Sequence, residues 1–237
     1  FTGRYPRTHR NRVNYTPLDP SETLMQEYLR DAGYTTGFVG KLHYWPPTRE
    51  HALSTGFDRG LIHDAGPTDA YSDYVAWLEA NSPYTRENYR ACEAPAEGGN
   101  PFTAVLPEKY HETTWCGEQT RDMLRETAGN DAPFFLFSSY WKPHSSFEVP
   151  EPWASMYDNV DIPLPEQVVR EYIEGLPLPL QRLILRGLEG SYRVDPERLM
   201  CVWRSYYAAC SPIDHEVVLT LDLLDELGLR DDTIVVF

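Results

Sequence analysis

The sequence predicts an α/β fold in which a mostly parallel sheet is sandwiched between helices. Short strand-like runs alternate with amphipathic helical segments and no internal repeat interrupts them, which is the order that parallel strands with helical crossovers require. The run Phe134-Phe135-Leu136-Phe137 is apolar at every position, as strands covered on both faces are.

Residues 1–20 are basic, with Arg4, Arg7, Arg10 and Arg12 ahead of Pro17 and Pro20, and read as loop. From Ser21 the apolar positions Leu24, Met25, Tyr28, Leu29 and Ala32 recur at helical spacing. Ser21 suits the N-cap of that helix and Gly33 its C′ position. Thr35 to Val39 is β-branched and aromatic, predicting a strand that ends at Gly40 and delivers Lys41-Leu42-His43 at its carboxyl end. A second helix is predicted over 70–80, with Tyr71, Tyr74, Val75 and Leu78 on one face. The stretch 81–110 carries Pro83, Pro95, Gly98, Gly99, Pro101 and Pro107 without a sustained period. Connections longer than about 12–15 residues are typically lids or binding loops, so 81–110 is expected to be a substrate-side excursion.

The next helix is predicted over 111–128, and Pro133 introduces the Phe134 strand, whose carboxyl end delivers Lys142-Pro143-His144. Asp195 and Pro196 form an N-cap with proline at N1, opening a helix striped by Leu199, Val202 and Tyr206. Pro212 is expected to kink or break that helix, after which Val217, Leu221 and Leu224 continue its face to Gly228. Thr233 to Phe237 reads as a final buried strand.

Of the 237 residues, 21 are Lys or Arg and 36 are Asp or Glu, a net charge of −15. That balance argues against nucleic acid as a partner, since phosphate binding needs clustered cations, and any anionic substrate has to find a local positive pocket. Apolar residues at 41% and aromatics at 13% fit a packed globule rather than a disordered chain. Cys92, Cys116, Cys201 and Cys210 lack the spacing of zinc ribbons or thiol redox motifs; Cys92 could pair with Cys116, and Cys201 and Cys210 could be core thiols. No apolar run is long enough to span a bilayer and the first residues are no signal peptide, so the compartment stays open. Because the chain begins at Phe1 and stops at Phe237 inside a predicted strand, it is read as an internal piece incomplete at both ends.

Both Lys-x-His tripeptides fall at predicted carboxyl ends of strands, where open α/β sheets bind ligands. Two lysines and two imidazoles suit work on a tetrahedral oxyanion: lysine neutralises charge and imidazole moves protons near neutral pH. His9, His51, His63, His111 and His215 are read as surface or structural histidines.

Taken in order, these segments resemble the sulfatase family of the alkaline phosphatase superfamily. Thr2-Gly3-Arg4-Tyr5-Pro6 is similar to the end of the family signature, in which an upstream Cys or Ser becomes formylglycine. Gly40-Lys41-Leu42-His43 resembles the Gly-Lys-x-His motif, and Lys142-Pro143-His144 with Phe147 the histidine segment after the next strand. Tyr206-Tyr207-Ala208-Ala209, Ile213-Asp214, Leu227-Gly228-Leu229 and Asp232 to Phe237 resemble the helix and strand that lead to the late metal ligands. The resemblance covers the whole chain and implies an alkaline phosphatase-like α/β/α fold.

It implies that Lys41 bridges the formylglycine hydrate and the sulfate, that His43 is the base that expels sulfate from the covalent intermediate, and that His144 assists the leaving group. Asn14 is placed like an asparagine that touches the transferred group in the related phosphonate monoester hydrolases, Lys142 is a neighbour of the pocket, and Arg4 supports the nucleophile's loop. The resemblance also implies calcium, but the formylglycine precursor and every metal ligand are absent from residues 1–237, and Asp231-Asp232 are not ligands. The chain is thus expected to be the inactive middle of a sulfatase acting on an aryl or carbohydrate sulfate. Two alternatives stand beside it. One is a phosphonate monoester or phosphodiester hydrolase of the same superfamily, disfavoured by the Lys41 and His43 pair. The other is a sulfatase-like domain that binds an anion without catalysis. The leaving alcohol and the oligomeric state are not legible in the sequence, although Trp45, Tyr84, Tyr89 and Tyr110 could stack on a ring.

Overall fold

A computed structural model describes residues 1–64, 72–93, 100–163, 173–182 and 196–237. They form two compact units, the first comprising Phe1–Tyr89, Leu106–Lys142 and Pro212–Phe237, the second Arg90–Val105 and Pro143–Ser211.

The first unit is built on a three-stranded parallel sheet in the order β2-β1-β3, with β1 (Thr35–Gly40) between β2 (Arg59–Ile62) and β3 (Phe134–Ser139). Gly37 is in register with Arg59 on one side and Leu136 on the other. Alternation along β1 sends Phe38 and Val39 to opposite faces. Val39 packs with residues of α4 (Asp73–Asn81) and α5 (Glu112–Ala128), including Tyr74, Leu78, Trp115 and Met123. Phe38 packs on the other face with Ala52 of α3 (Arg49–Ser54), Phe57, Ile62 and the half-buried Phe135 and Phe137. Helices thus cover both faces, as the alternating pattern predicts. Central β1 is buried from Thr36 onward, whereas β3, which pairs on one side only among the described residues, is half-buried throughout.

Helix α2 (Met25–Asp31) begins later than expected. Ser21 turns back on Asp19, accepting no helical amide, and the helix is opened instead by Glu27, whose Oε2 accepts the Leu24 N–H at 2.7 Å. Its other end closes as predicted. Gly33 takes φ +92°, its N–H donates to the Arg30 carbonyl at 2.9 Å, and the Tyr34 N–H reaches the Leu29 carbonyl at 3.0 Å, the paired bonds of a Schellman cap. The basic opening segment is not all loop, since α1 spans Pro6–His9 with proline at its first position.

Two further expectations are corrected. Helix α6 (Pro196–Glu226) runs through Pro212 without a break. Proline removes one donor from the ladder, and the helix continues past it, the preceding turn being packed through Ala208 and Ala209. Thr233 to Phe237 forms no strand: Arg230–Asp232 is a 3₁₀ turn, and Ile234, Val236 and Phe237 stand 85–96% exposed without a pairing strand among the described residues. Asp195, expected as the N-cap of α6, and Tyr71 lie outside the described residues.

Within the first unit α5 and α6 are joined by Arg121 and Glu216, whose Nη1 and Oε2 are 2.6 Å apart. Gly117 makes that approach possible, because a Cβ there would sit 1.9 Å from the Glu216 carboxylate. Tyr89 is buried in this unit's core, with Tyr84 and Tyr110 packed against it, so these three rings are committed to packing. The second unit has its own small cluster of Val149, Ala154, Ala208 and Ala209, with Trp153 and Tyr157 packed against it. No disulfide joins Cys92 to Cys116, which removes that pairing. No helix among the described residues is long and apolar enough to cross a membrane.

Where β1 ends, Gly40 adopts φ +98°, and a Cβ there would lie 1.9 Å from the Ser139 carbonyl oxygen. Replacing Gly40 by alanine therefore adds left-handed strain to a backbone clash and is expected to cost about 3 kcal/mol or more. A denaturant midpoint indistinguishable from wild type would contradict this close approach.

Candidate functional site

The carboxyl ends of the three strands are brought together by two backbone bonds on either side of Gly40. The His63 N–H, just after β2, donates to the Gly40 carbonyl, and the Lys41 N–H donates to the Ser139 carbonyl, both at 3.0 Å. Residues 41–43, 63–64 and 140–142 consequently leave the sheet side by side, at the edge where parallel sheets bind ligands.

Lys41 is half-buried and its Nζ stands 3.8 Å from the centroid of the Trp141 ring. A cation over an indole face gains about 0.5–2 kcal/mol, rising as water is excluded. That contact also limits the conformers of a flexible side chain. His43, two residues on, is exposed and holds a left-handed backbone with φ +58°. Close to these residues Asp64, only 6% exposed, follows β2. Burial pushes the Asp64 carboxyl up, and the Lys41 ammonium, the His43 N–H and the charges of His43 and His63 oppose that rise.

Behind these residues lies a buried ionic cluster centred on Glu112 in the first turn of α5. One oxygen, Oε2, takes hydrogen bonds from His63 Nε2 and from Tyr89 Oη, the latter at 2.6 Å; the other lies 3.5 Å from the ammonium of Lys142. His63 is fixed at its second nitrogen by Ser72 Oγ at 2.9 Å, and its ring is surrounded by Tyr74, Tyr89, Trp115 and Trp141. Burial alone would raise the Glu112 carboxyl, but the Lys142 ammonium and the His63 hydrogen bond and charge, with a smaller contribution from His111, hold it far below the usual carboxylate range. His111 caps the same helix, its Nδ1 accepting the Thr113 N–H at 3.3 Å.

The residues singled out in the sequence are distributed unevenly. Lys41 and His43 share one strand-end loop. Lys142 is completely buried and its ammonium faces Glu112, which makes it part of the internal cluster. His144 belongs to the second unit, is exposed, and its Nδ1–H donates to the Ser145 carbonyl at 2.6 Å. Asn14 is exposed in the loop between α1 and α2, and Arg4 forms a two-pronged pair with Glu22 at 2.7 and 2.8 Å. Cys116 is no nucleophile, since burial pushes its thiol up to about 12. Among the described residues no group of three or more His, Cys, Asp and Glu side chains is placed to hold a metal ion.

Sequence reasoning missed Glu112 and Asp64, read His63 as ordinary and gave Tyr89 only a stacking role. The available signal was Gly60-Leu61-Ile62-His63-Asp64, a short apolar run ending in two titratable groups.

The sulfatase family model matches residues 1–237. Among relatives, a multifunctional alkaline phosphatase superfamily protein of Trinickia caryophylli is 26% identical, covering 100% of this chain and 50% of its own length. An arylsulfatase of Clostridium perfringens is 24% identical, also over 100% of this chain and 50% of its own. The fold is that of a phosphonate monoester hydrolase from Silicibacter pomeroyi, with a TM-score of 0.77 and 21% identity over 98% of this chain and 49% of that one. The chain thus spans about half the length of the proteins it matches.

Because Glu112 is held ionised in the fold, its contribution to stability is complete above the ordinary glutamate value of 4.5 and is lost as the pH falls below it. Glu112→Gln leaves Lys142 buried without its counter-charge and is expected to cost about 3–5 kcal/mol near neutral pH. Denaturation midpoints measured from pH 7 down to 3 are expected to fall for wild type and to change less for the variant; parallel curves would refute the assignment.

Proposed function

The chain belongs to the sulfatase family, and on that premise we propose that the protein is a sulfuric ester hydrolase acting on an aryl or carbohydrate sulfate. The observation that carries this reading is the Lys41-Leu42-His43 segment at the carboxyl end of β1, with the Lys41 ammonium seated on Trp141 at 3.8 Å. In a chain of net charge −15 an anion docks only where the local field overrides the global one. A lysine about 4 Å from a sulfuryl oxygen supplies about 4 kcal/mol at an effective dielectric near 20, enough to decide the docking point.

In this reading Lys41 places fixed positive charge where the sulfuryl oxygens gain negative charge in the transition state. His43, exposed beside it, would take the proton from the remaining hydroxyl of the sulfated hydrate, whose oxygen stays as the aldehyde carbonyl while the C–O bond to sulfate breaks. The family resemblance would give His144, whose Nδ1–H is committed to Ser145, the role of supplying a proton to the oxygen of the leaving alcohol. Asn14 would touch the transferred group and Arg4 would support the nucleophile's loop. The formylglycine and the calcium ion implied by the family resemblance are proposed to come from residues beyond this chain. The described residues present no donor set for calcium, so no step here runs through it.

A second reading is hydrolysis of phosphonate monoesters, the activity named for the phosphonate monoester hydrolase whose fold this chain shares, or of phosphodiesters. Side-by-side assay of the complete protein on aryl sulfate and on phenylphosphonate monoester separates the two: kcat/KM is expected to be higher for the sulfate. Lys41→Ala is expected to lower kcat on the sulfate by about 10²–10³-fold, as loss of one preorganised oxyanion donor does. A variant that turns over sulfate at the wild-type rate would remove Lys41 from the reaction.

A further inference from the structure

Of the four aromatic residues singled out in the sequence for stacking, Tyr84, Tyr89 and Tyr110 are committed to the core, and only Trp45 is left at the surface, 39% exposed. There it meets Tyr15, 60% exposed, edge to face, with ring centroids 5.3 Å apart and planes at 81°. Both rings come from segments that carry candidate site residues. In 41–45, Leu42 and Tyr44 turn inward, Tyr44 packing on the Phe38 cluster and its Oη receiving the Gln26 side-chain amide at 3.1 Å, while His43 and Trp45 are exposed. An extended chain advances at most about 3.6 Å per residue, so the Trp45 Cα lies within about 7 Å of that of His43 and about 14 Å of that of Lys41. In the other segment Tyr15 directly follows Asn14, and Asn11 closes the loop around them by donating its side-chain amide to the Thr16 carbonyl at 2.8 Å.

The backbone sets the same two places apart. Tyr15 holds φ +63° and His43 φ +58°, left-handed conformations that a non-glycine residue keeps only where its surroundings impose them, and such positions gather at ligand contacts. In an edge-to-face pair, the ring that gives its edge keeps both faces clear of its partner. A flat apolar surface is thus left beside the Lys41-Leu42-His43 segment.

We propose that Tyr15 and Trp45 form a stacking subsite for the ring of the ester's alcohol, aromatic or sugar, and so select which sulfate esters the protein takes. The inference deepens the sulfuric ester reading and rests on it: Lys41 draws the sulfuryl group, and the two rings read the alcohol attached to it. An aromatic face stacks on an aryl ring and on the C–H face of a sugar alike, whereas a short alkyl chain offers it little area.

The complete protein is assayed on nitrophenyl sulfate, on a glucose sulfate and on ringless butyl sulfate. Each variant is scored against wild type on the same substrate, so that the reactivity of the leaving group cancels. Trp45→Ala is expected to lower kcat/KM about tenfold on a ringed ester, mostly through KM, and less than twofold on butyl sulfate. Tyr15→Ala is expected to show the same selectivity with a loss of about threefold, and Trp45→Phe to recover most of the activity. Selective loss on the aryl ester alone, on the sugar ester alone or on both supports the subsite and identifies its ligand. Equal loss on all three esters, or no loss on either ringed one, overturns it. If Trp45→Ala does not fold, Tyr15→Ala decides by the same criterion. Calorimetric titration with benzenesulfonate, sulfoquinovose and butanesulfonate, which carry no ester to hydrolyse, separates this inference from the reading beneath it. If the wild type hydrolyses no sulfate ester, the hydrolase reading fails and the sulfonates alone decide. A ringed sulfonate bound more tightly than butanesulfonate, with that preference lost in Trp45→Ala, upholds the subsite; no preference, or one that Trp45→Ala leaves intact, overturns it.

Discussion

One buried carboxylate organises the carboxyl edge of this sheet. Glu112 stands at the start of α5 and takes one hydrogen bond from His63, which follows β2, and one from Tyr89, while Lys142, which follows β3, supplies the counter-charge. The side chain just before Lys142 is Trp141, and Lys41, which follows β1, rests on it. All three strand ends are therefore referenced to a single buried point. A shift of Glu112 would move His63 and Lys142 together, and with them the indole that seats Lys41.

The energetics of such a cluster decide what it is for. Removing an ion pair from water costs several kcal/mol per ion, and the attraction regained roughly offsets it, so the pair adds little net stability over a well-packed apolar substitute. Glu112 gains somewhat more because it sits near the positive end of the α5 dipole, a term of about 0.3–1 kcal/mol. What the arrangement does provide is definiteness. An apolar core tolerates small slides, whereas two hydrogen bonds and a charge on two oxygens admit one geometry.

The periodic elements were legible in the sequence because their cause is local. Gly33 ends α2 by its own freedom of φ, the aromatic run of β3 is contiguous, and α5 reads as one stripe. The misses share the opposite property. Strand β2 is four residues long and contains Gly60, a strand-breaker by propensity, which is there because a Cβ would strike the Phe38 ring at 2.0 Å. Ser21 had the right residue type for a cap, but Glu27 reached the vacant amide first. Lys41 and His43 were legible as a motif, whereas Glu112 meets partners 49, 23 and 30 residues away, a separation no local pattern displays. Lys142 was drawn toward the pocket by its nearness to His144, although its side chain turns inward to Glu112.

The two lysines at this edge have opposite fates, and burial is the reason. Lys142 is fully buried, where an uncompensated ammonium would be prohibitive, so its charge is consumed by Glu112. Lys41 is only half-buried and its neighbour is a π face, which attracts the cation without neutralising it. Asp64 withdraws part of that charge but is itself shared with His43 and His63. In the proposed reading, the single half-buried ammonium of Lys41 would suit a singly charged ester better than a dianion that would need full neutralisation. Sulfate monoesters and phosphonate monoesters are both monoanions, so charge alone treats them alike. In the proposed reading, discrimination between them would therefore fall to the proton chemistry of His43.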